Sequence, residues 1–160
     1  MKKILFIINP NSGTKRKGKI EEYAKKLLPK DNFAVDFSYT QYAGHATEIT
    51  KNAINNYDII VAVGGDGTIH EVAQNIIHSS TSLAIVPMGS GNGLARFLKI
   101  PLSAYKAIEV IANGNNKKID TILCNNEYFI NVAGLGFDAK IGDIFDKTPN
   151  RGGLKYIKLV

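Results

Sequence analysis

The chain predicts an α/β fold, a doubly wound and mostly parallel sheet with helices on both faces. Three observations predict it. Short apolar runs alternate with stretches of helical apolar spacing, so strand and helix follow one another over short connections. The run Ile59-Ile60-Val61-Ala62-Val63 is apolar throughout, as a strand buried on both faces of a parallel sheet requires. Loops rich in glycine or asparagine, Asn9 to Thr14, Gly64 to Thr68 and Gly89 to Gly93, follow predicted strands and so fall on one sheet edge.

The elements are expected in this order. Lys3 to Ile8 is a strand, and a helix from about Lys17 to Leu28 carries Ile20, Tyr23, Ala24, Leu27 and Leu28 on one face. Pro29 and Asp31-Asn32 end that helix. Phe33 to Thr40 alternates as a second strand, and Ala43 to Asn55 is a helix with Ala46, Ile49, Ala53 and Ile54 inward and Thr47, Glu48 and Thr50 in solvent. Asp58 to Val63 is the third strand. Gly67 to His78 is the third helix, with Ile69, Val72, Ala73, Ile76 and Ile77 as its stripe. Leu83 to Val86 is the fourth strand, and Pro101 to Ala112 a helix that starts with proline and closes at Asn113-Gly114. Lys117 to Cys124 and Glu127 to Ala133 are extended and joined at Asn125-Asn126 as a hairpin. Gly134 to Phe145 carries glycines and a helix signal, Thr148 to Gly153 is loop-like, and Leu154 to Val160 is apolar and basic. That ending predicts the front part of a longer protein, with residues 1–133 as one domain and 134–160 as the start of another.

Composition narrows the function classes. At 160 residues and 44% hydrophobic, the chain suits one soluble globular domain. No apolar run approaches the roughly 20 residues a bilayer span needs. The basic, apolar start breaks at Asn9-Pro10 without a small-residue cleavage pattern, so a first strand is expected there rather than a signal peptide. Cys124 is the single cysteine, which fits a reducing cytoplasm. The net charge of +6 draws much of its excess from Lys15, Arg16, Lys17, Lys19, Lys155 and Lys158. Aromatics are not interleaved with these residues, so no nucleic-acid partner is expected. A solvated basic face accounts for the charge as readily as any one anionic ligand does.

The loops carry the chemistry. Glycines let the backbone turn and let another group approach the amides, and a helix start behind them favours an anion. Asp66 stands against that, because a carboxylate repels phosphate unless a divalent cation bridges the two. Read alone, it is a turn residue capping the following helix. The Walker A pattern is absent, and Gly134-Leu135-Gly136-Phe137-Asp138-Ala139 fits G-x-G-x-x-A without the acidic strand end that a dinucleotide site needs.

Asn9-Pro10-Asn11-Ser12-Gly13, Gly44-His45-Ala46, Gly64-Gly65-Asp66-Gly67-Thr68 and Pro87-Met88-Gly89-Ser90-Gly91-Asn92 together resemble the catalytic domain of the diacylglycerol kinases and their sphingoid-base and bacterial lipid kinase relatives. Phe129 to Ala133 and Gly136-Phe137-Asp138-Ala139 continue the likeness over nearly the whole chain. The resemblance implies the N-terminal domain shared by NAD kinases and diacylglycerol kinases, and transfer of the γ-phosphoryl group of ATP to a lipid hydroxyl. It implies ATP contacts at Asn9, Ser12, Gly13, Lys15, Thr40, Gly64, Gly65, Gly67, Thr68, Glu71, Gly89, Ser90, Gly91 and Asn92. Asp66 is implied as the catalytic residue and, with Asp120, as a holder of Mg²⁺. His45 is expected to shape the cleft rather than to react. Gly93 stands where bacterial members usually carry Asp, and His70 where many carry Asn; both lean toward the sphingoid-base branch. The implied partners are ATP, a lipid at a membrane surface, a β-rich C-terminal domain missing from this chain that brings the general base, and as one option a second copy. The implied setting is cytoplasmic with peripheral membrane contact, and the chain alone is expected to turn over lipid weakly or not at all. An NAD kinase relative and a non-catalytic module binding nucleotide or anionic lipid are the alternatives.

Overall fold

The computed structural model describes residues 1–13, 19–114, 116–131 and 140. The chain groups into two compact units, Met1–Asp120 and Thr121–Val160. The first unit holds β1 (Lys2–Ile8), α1 (Ile20–Leu27), β2 (Phe33–Tyr39), α2 (His45–Ala53), β3 (Ile59–Gly64), α3 (Asp66–Ile76), β4 (Ser82–Pro87), α4 (Gly93–Phe97) and α5 (Ala104–Asn113). Its four strands are all parallel, in the order β2-β1-β3-β4. The predicted doubly wound sheet is what forms.

Burial explains the order. From Ile4 to Ile8 and from Ile59 to Gly64 every residue is buried, so β1 and β3 take the centre. β2 is half-buried along most of its length and lies at an edge of this sheet. On one face Ile4, Phe6 and Ile8 join Ile59, Val61 and Val63 beneath Ile20, Ala24 and Leu28 of the first helical segment and Ala107, Ile108 and Ile111 of α5. Phe6 and Phe37 set their ring centroids 5.3 Å apart in the same layer. Strand alternation sends Leu5, Ile7, Ile60 and Ala62 to the other face. There α2 and α3 pack together and bury Ala46, Ala53, Ile69, Val72, Ala73 and Ile76. Those apolar side chains on the two faces, at roughly 1.5–3 kcal/mol per fully buried large side chain, are what hold the layers together.

The structure corrects several expectations. α5 starts at Ala104 behind Ser103, not at Pro101, and ends as expected at Gly114 with φ 70°. Thr50 is buried rather than solvated, because its hydroxyl donates back to the Ala46 carbonyl at 2.6 Å and leaves only its methyl to pack. Thr47 is half-buried against α3. α4 was not expected: a five-residue helix is too short for an apolar period to show.

In the second unit β5 (Ile122–Cys124) and β6 (Glu127–Phe129) pair antiparallel. Asn125 and Asn126 both have positive φ, 49° and 66°, as a two-residue I′ hairpin turn demands. The extended segments are shorter than predicted. The readings placed on Val132 to Ala139, on residues 141–147, on Thr148 to Gly153 and on Leu154 to Val160 lie outside the described residues. No helix among those described is long and apolar enough to cross a membrane.

Candidate active site

The strand order reverses direction between β1 and β3, since the chain runs out to β2 on one side and to β4 on the other. In open α/β sheets the crevice at such a switch point, beyond the carboxyl ends of the strands, is where ligands bind. The loops after β1, β3 and β4 meet there.

The first loop is tied to the second through Asn9. Its backbone N–H donates to the Val63 carbonyl at 3.0 Å, prolonging the β1–β3 ladder. Its side-chain amide donates to Thr68 Oγ1 at 3.0 Å, so the loop after β1 is held to the first turn of α3. Asn9 Oδ1 accepts from the Asn11 N–H at 2.9 Å, and its carbonyl accepts from Ser12 Oγ at 2.9 Å. Gly13 then turns with φ +64°, and a Cβ there would fall onto the carbonyl oxygen of Met88. That contact brings the first loop against the end of β4.

The second and third loops meet at two glycines. A Cβ on Gly89 would lie 2.6 Å from Gly65 Cα, so the loop after β4 reaches the start of α3 only without a side chain at that point. Asn92 locks this third loop: it is 5% exposed and left-handed at φ 54°, its Oδ1 accepts the Gly89 N–H at 2.8 Å, and its Nδ2 donates to the Gly89 carbonyl at 2.7 Å.

Asp66 does not cap its own helix. It is the first residue of α3, behind Gly65, which makes no side-chain cap. Its Oδ2 accepts the Asn92 N–H at 2.8 Å and its Oδ1 the Gly93 N–H at 2.8 Å. The carboxylate therefore pins the start of α4 while the residue stays exposed to solvent. An ionised carboxylate has about four lone-pair sites, so two amides leave room for a cation.

Five residues on, Glu71 does the same for α2. Its Oε1 accepts the Gly44 N–H at 3.0 Å and its Oε2 the Ala46 N–H at 3.2 Å. Thr47 Oγ1 adds a bond to the Glu71 carbonyl at 3.4 Å. Expected among the nucleotide contacts, Glu71 has both oxygens engaged by backbone. His45, the first residue of α2, stacks on Tyr42 with centroids 4.6 Å apart, and its Nδ1 accepts the Gln41 N–H at 3.1 Å.

Of the remaining expected residues, Thr40 is buried and donates its N–H to the Ile8 carbonyl at 2.9 Å, fixing the end of β2 to β1. Thr68 and Gly64 are buried in the crevice floor, Ser12 is half-buried, and Gly67, Ser90 and Gly91 are exposed at its rim. Asp120 is exposed, between α5 and β5. Lys15, with Arg16 and Lys17, lies outside the described residues. Arg96 was overlooked: it sits on the unpredicted α4 and donates Nε–H to the Gly91 carbonyl at 2.9 Å.

No group of three or more His, Cys, Asp or Glu side chains that could cage a metal occurs among the described residues. Asp66 alone is a hard oxygen donor suited to Mg²⁺, which commonly binds through one or two carboxylates with phosphate oxygens and waters completing the octahedron. The donor set fits a Mg²⁺ that arrives with a polyphosphate.

A parallel sheet with glycine-rich loops and one acidic helix start at its switch point defines the class of open α/β domains that hold a ligand at the strand ends. Residues 3–124 match the model of the diacylglycerol kinase catalytic domain, and the chain belongs to that family. It is 34% identical to a diacylglycerol kinase of Staphylococcus saprophyticus, over an alignment covering 94% of this chain and 49% of that protein. It is also 34% identical to a diacylglycerol kinase of Staphylococcus carnosus, covering 84% of this chain and 45% of the relative. A crystal structure of a diacylglycerol kinase from Bacillus anthracis superposes with a TM-score of 0.71 at 26% identity, covering 92% of this chain and 54% of the other. The chain spans about half the length of the relatives it matches.

Proposed function

We propose that this chain is the nucleotide-binding part of an ATP-dependent lipid kinase. The observation that carries the reading is the placement of Asp66: an exposed carboxylate at the switch point, held by two amides of the adjoining loop and ringed by three glycine-bearing loops. In the reaction a lipid hydroxyl oxygen attacks the γ-phosphorus, its bond to phosphorus forms, and the bond to the β,γ-bridging oxygen breaks to release ADP. When bound, Mg²⁺ supplies neutralisation of the phosphate charge, which with positioning accounts for most of such catalysis.

The chain's own residues do the positioning. Asn9 and Thr68 hold two loops in register, Gly13 and Gly89 let the third close on them, and Asp66 would hold the metal when it is bound. Asp120 is a second candidate for the same metal–water network. Ser12, Lys15, Ser90 and the glycine amides are the proposed phosphate contacts, while Asn92 and Glu71 act through the loops they lock. The hydroxyl proton is assigned to a base in the part of the relatives beyond the matched half, and the lipid cleft to the same part. On that ground residues 1–160 alone are expected to bind nucleotide weakly and to phosphorylate lipid poorly or not at all.

The test assays full-length protein with Mg²⁺ and ATP against diacylglycerol, sphingosine, ceramide and NAD in parallel. ADP release that requires one lipid and is abolished in Asp66→Ala is expected. Release that is indifferent to Asp66→Ala would sink the reading, and release with NAD alone would replace it with the NAD kinase one.

A further inference from the structure

We propose that Arg96 binds the terminal phosphates of the nucleotide beside the Gly89–Asn92 loop; the proposal rests on the kinase reading above. Arg96 is exposed, in the short α4. Its Nε–H donates to the Gly91 carbonyl at 2.9 Å, which holds the guanidinium beside the loop. That bond uses one of its five N–H donors and leaves the terminal nitrogens for another acceptor.

Gly91 is also the neighbour of Asp66, since a Cβ added to it would lie 2.8 Å from Asp66 Oδ2. A carboxylate and a guanidinium thus flank a single residue. Among the described residues they form no ion pair with each other. Opposite charges that both reach Gly91 without pairing match a ligand that carries both signs. A polyphosphate with a bound divalent cation is such a ligand, the cation toward Asp66 and the phosphate oxygens toward the planar fork of Arg96. Arg96 forms and breaks no covalent bond; it supplies charge and direction.

The experiment is displacement of a fluorescent ATP analogue from full-length protein by ATP and by AMP, with Mg²⁺, in the wild type, Arg96→Gln, Arg96→Lys and Asp66→Ala. Glutamine keeps an N–H donor that can reach the Gly91 carbonyl but removes the charge. Arg96→Gln is expected to weaken ATP about tenfold, the scale of one charge-assisted hydrogen bond, with AMP affinity and the unfolding midpoint unchanged and partial rescue in Arg96→Lys. Equal losses for ATP and AMP, or no loss for either, overturn the proposal and leave Arg96 a loop tether. If Asp66→Ala alone weakens ATP, only the Arg96 proposal falls. If Asp66→Ala leaves ATP affinity and its Mg²⁺ dependence intact, the kinase reading falls with it.

Discussion

Asp66 and Glu71 are two carboxylates on one helix, each holding the backbone amides at the start of another helix, and they differ in one respect. Glu71 is half-buried between α2 and α3, with both oxygens facing Gly44 and Ala46. Asp66 is exposed at the crevice, with both oxygens bonded to Asn92 and Gly93 at shorter distances. The same hydrogen-bonding chemistry thus serves as a half-buried brace in one place and leaves a solvent-facing group in the other. Solvent access, not partner count, separates the two.

The largest effect expected from that difference is on turnover. Asp66→Asn in the full-length protein is expected to lower kcat by about 10²–10³-fold, the cost of removing one preorganised electrostatic group, and to lower the unfolding midpoint as well, because the amide nitrogen cannot accept one of the two N–H bonds from Asn92 and Gly93. Glu71→Gln is expected to leave kcat within a factor of about ten. If Glu71→Gln cost as much turnover as Asp66→Asn, the division into scaffold and site would break. Next comes Gly89→Ala, whose Cβ must displace Gly65; a loss of roughly 2–3 kcal/mol in denaturant unfolding is expected, in the range of an overpacked contact. Glu71→Ala follows, at about 2 kcal/mol, because it strands two amides that a charged acceptor had satisfied. The smallest is Glu48→Ala. Glu48 also sits in the first turn of α2, but it is exposed, and its carboxylate accepts from the Tyr42 hydroxyl, at 2.8 Å, rather than from backbone amides of the described residues. Its removal is expected to cost under about 0.5 kcal/mol, which would show that a carboxylate near a helix start matters only when it is aimed at the amides.

Much of this was legible in advance, for physical reasons. Ile59 to Val63 could be placed as a central strand because only a strand covered on both faces tolerates apolar residues at every position. The Asn125-Asn126 turn was legible because few residues accept positive φ twice in succession. That three loops share one edge followed from the parallel order. What stayed hidden was every contact across sequence distance. The partners of Asp66 lie 26 and 27 positions away, and those of Glu71 lie 27 and 25 away, so no local pattern assigns them. Taken alone, Asp66 therefore looks like the cap of its own helix, whereas it holds a different one. α4 and Arg96 escaped together, since a five-residue helix has no period to detect.

The strand order also bears on how such a chain assembles as it is synthesised. β1, made first, lies in the middle, with β2 and β3 on its two sides. Its neighbours therefore emerge in turn beside a strand that is already present, and the sheet fills outward from the oldest segment, as vectorial folding favours. The loop after β4 comes last among the three. An incomplete chain ending before Gly89 would own all four strands of the sheet and the waiting Asp66, yet offer nothing for that carboxylate to grip.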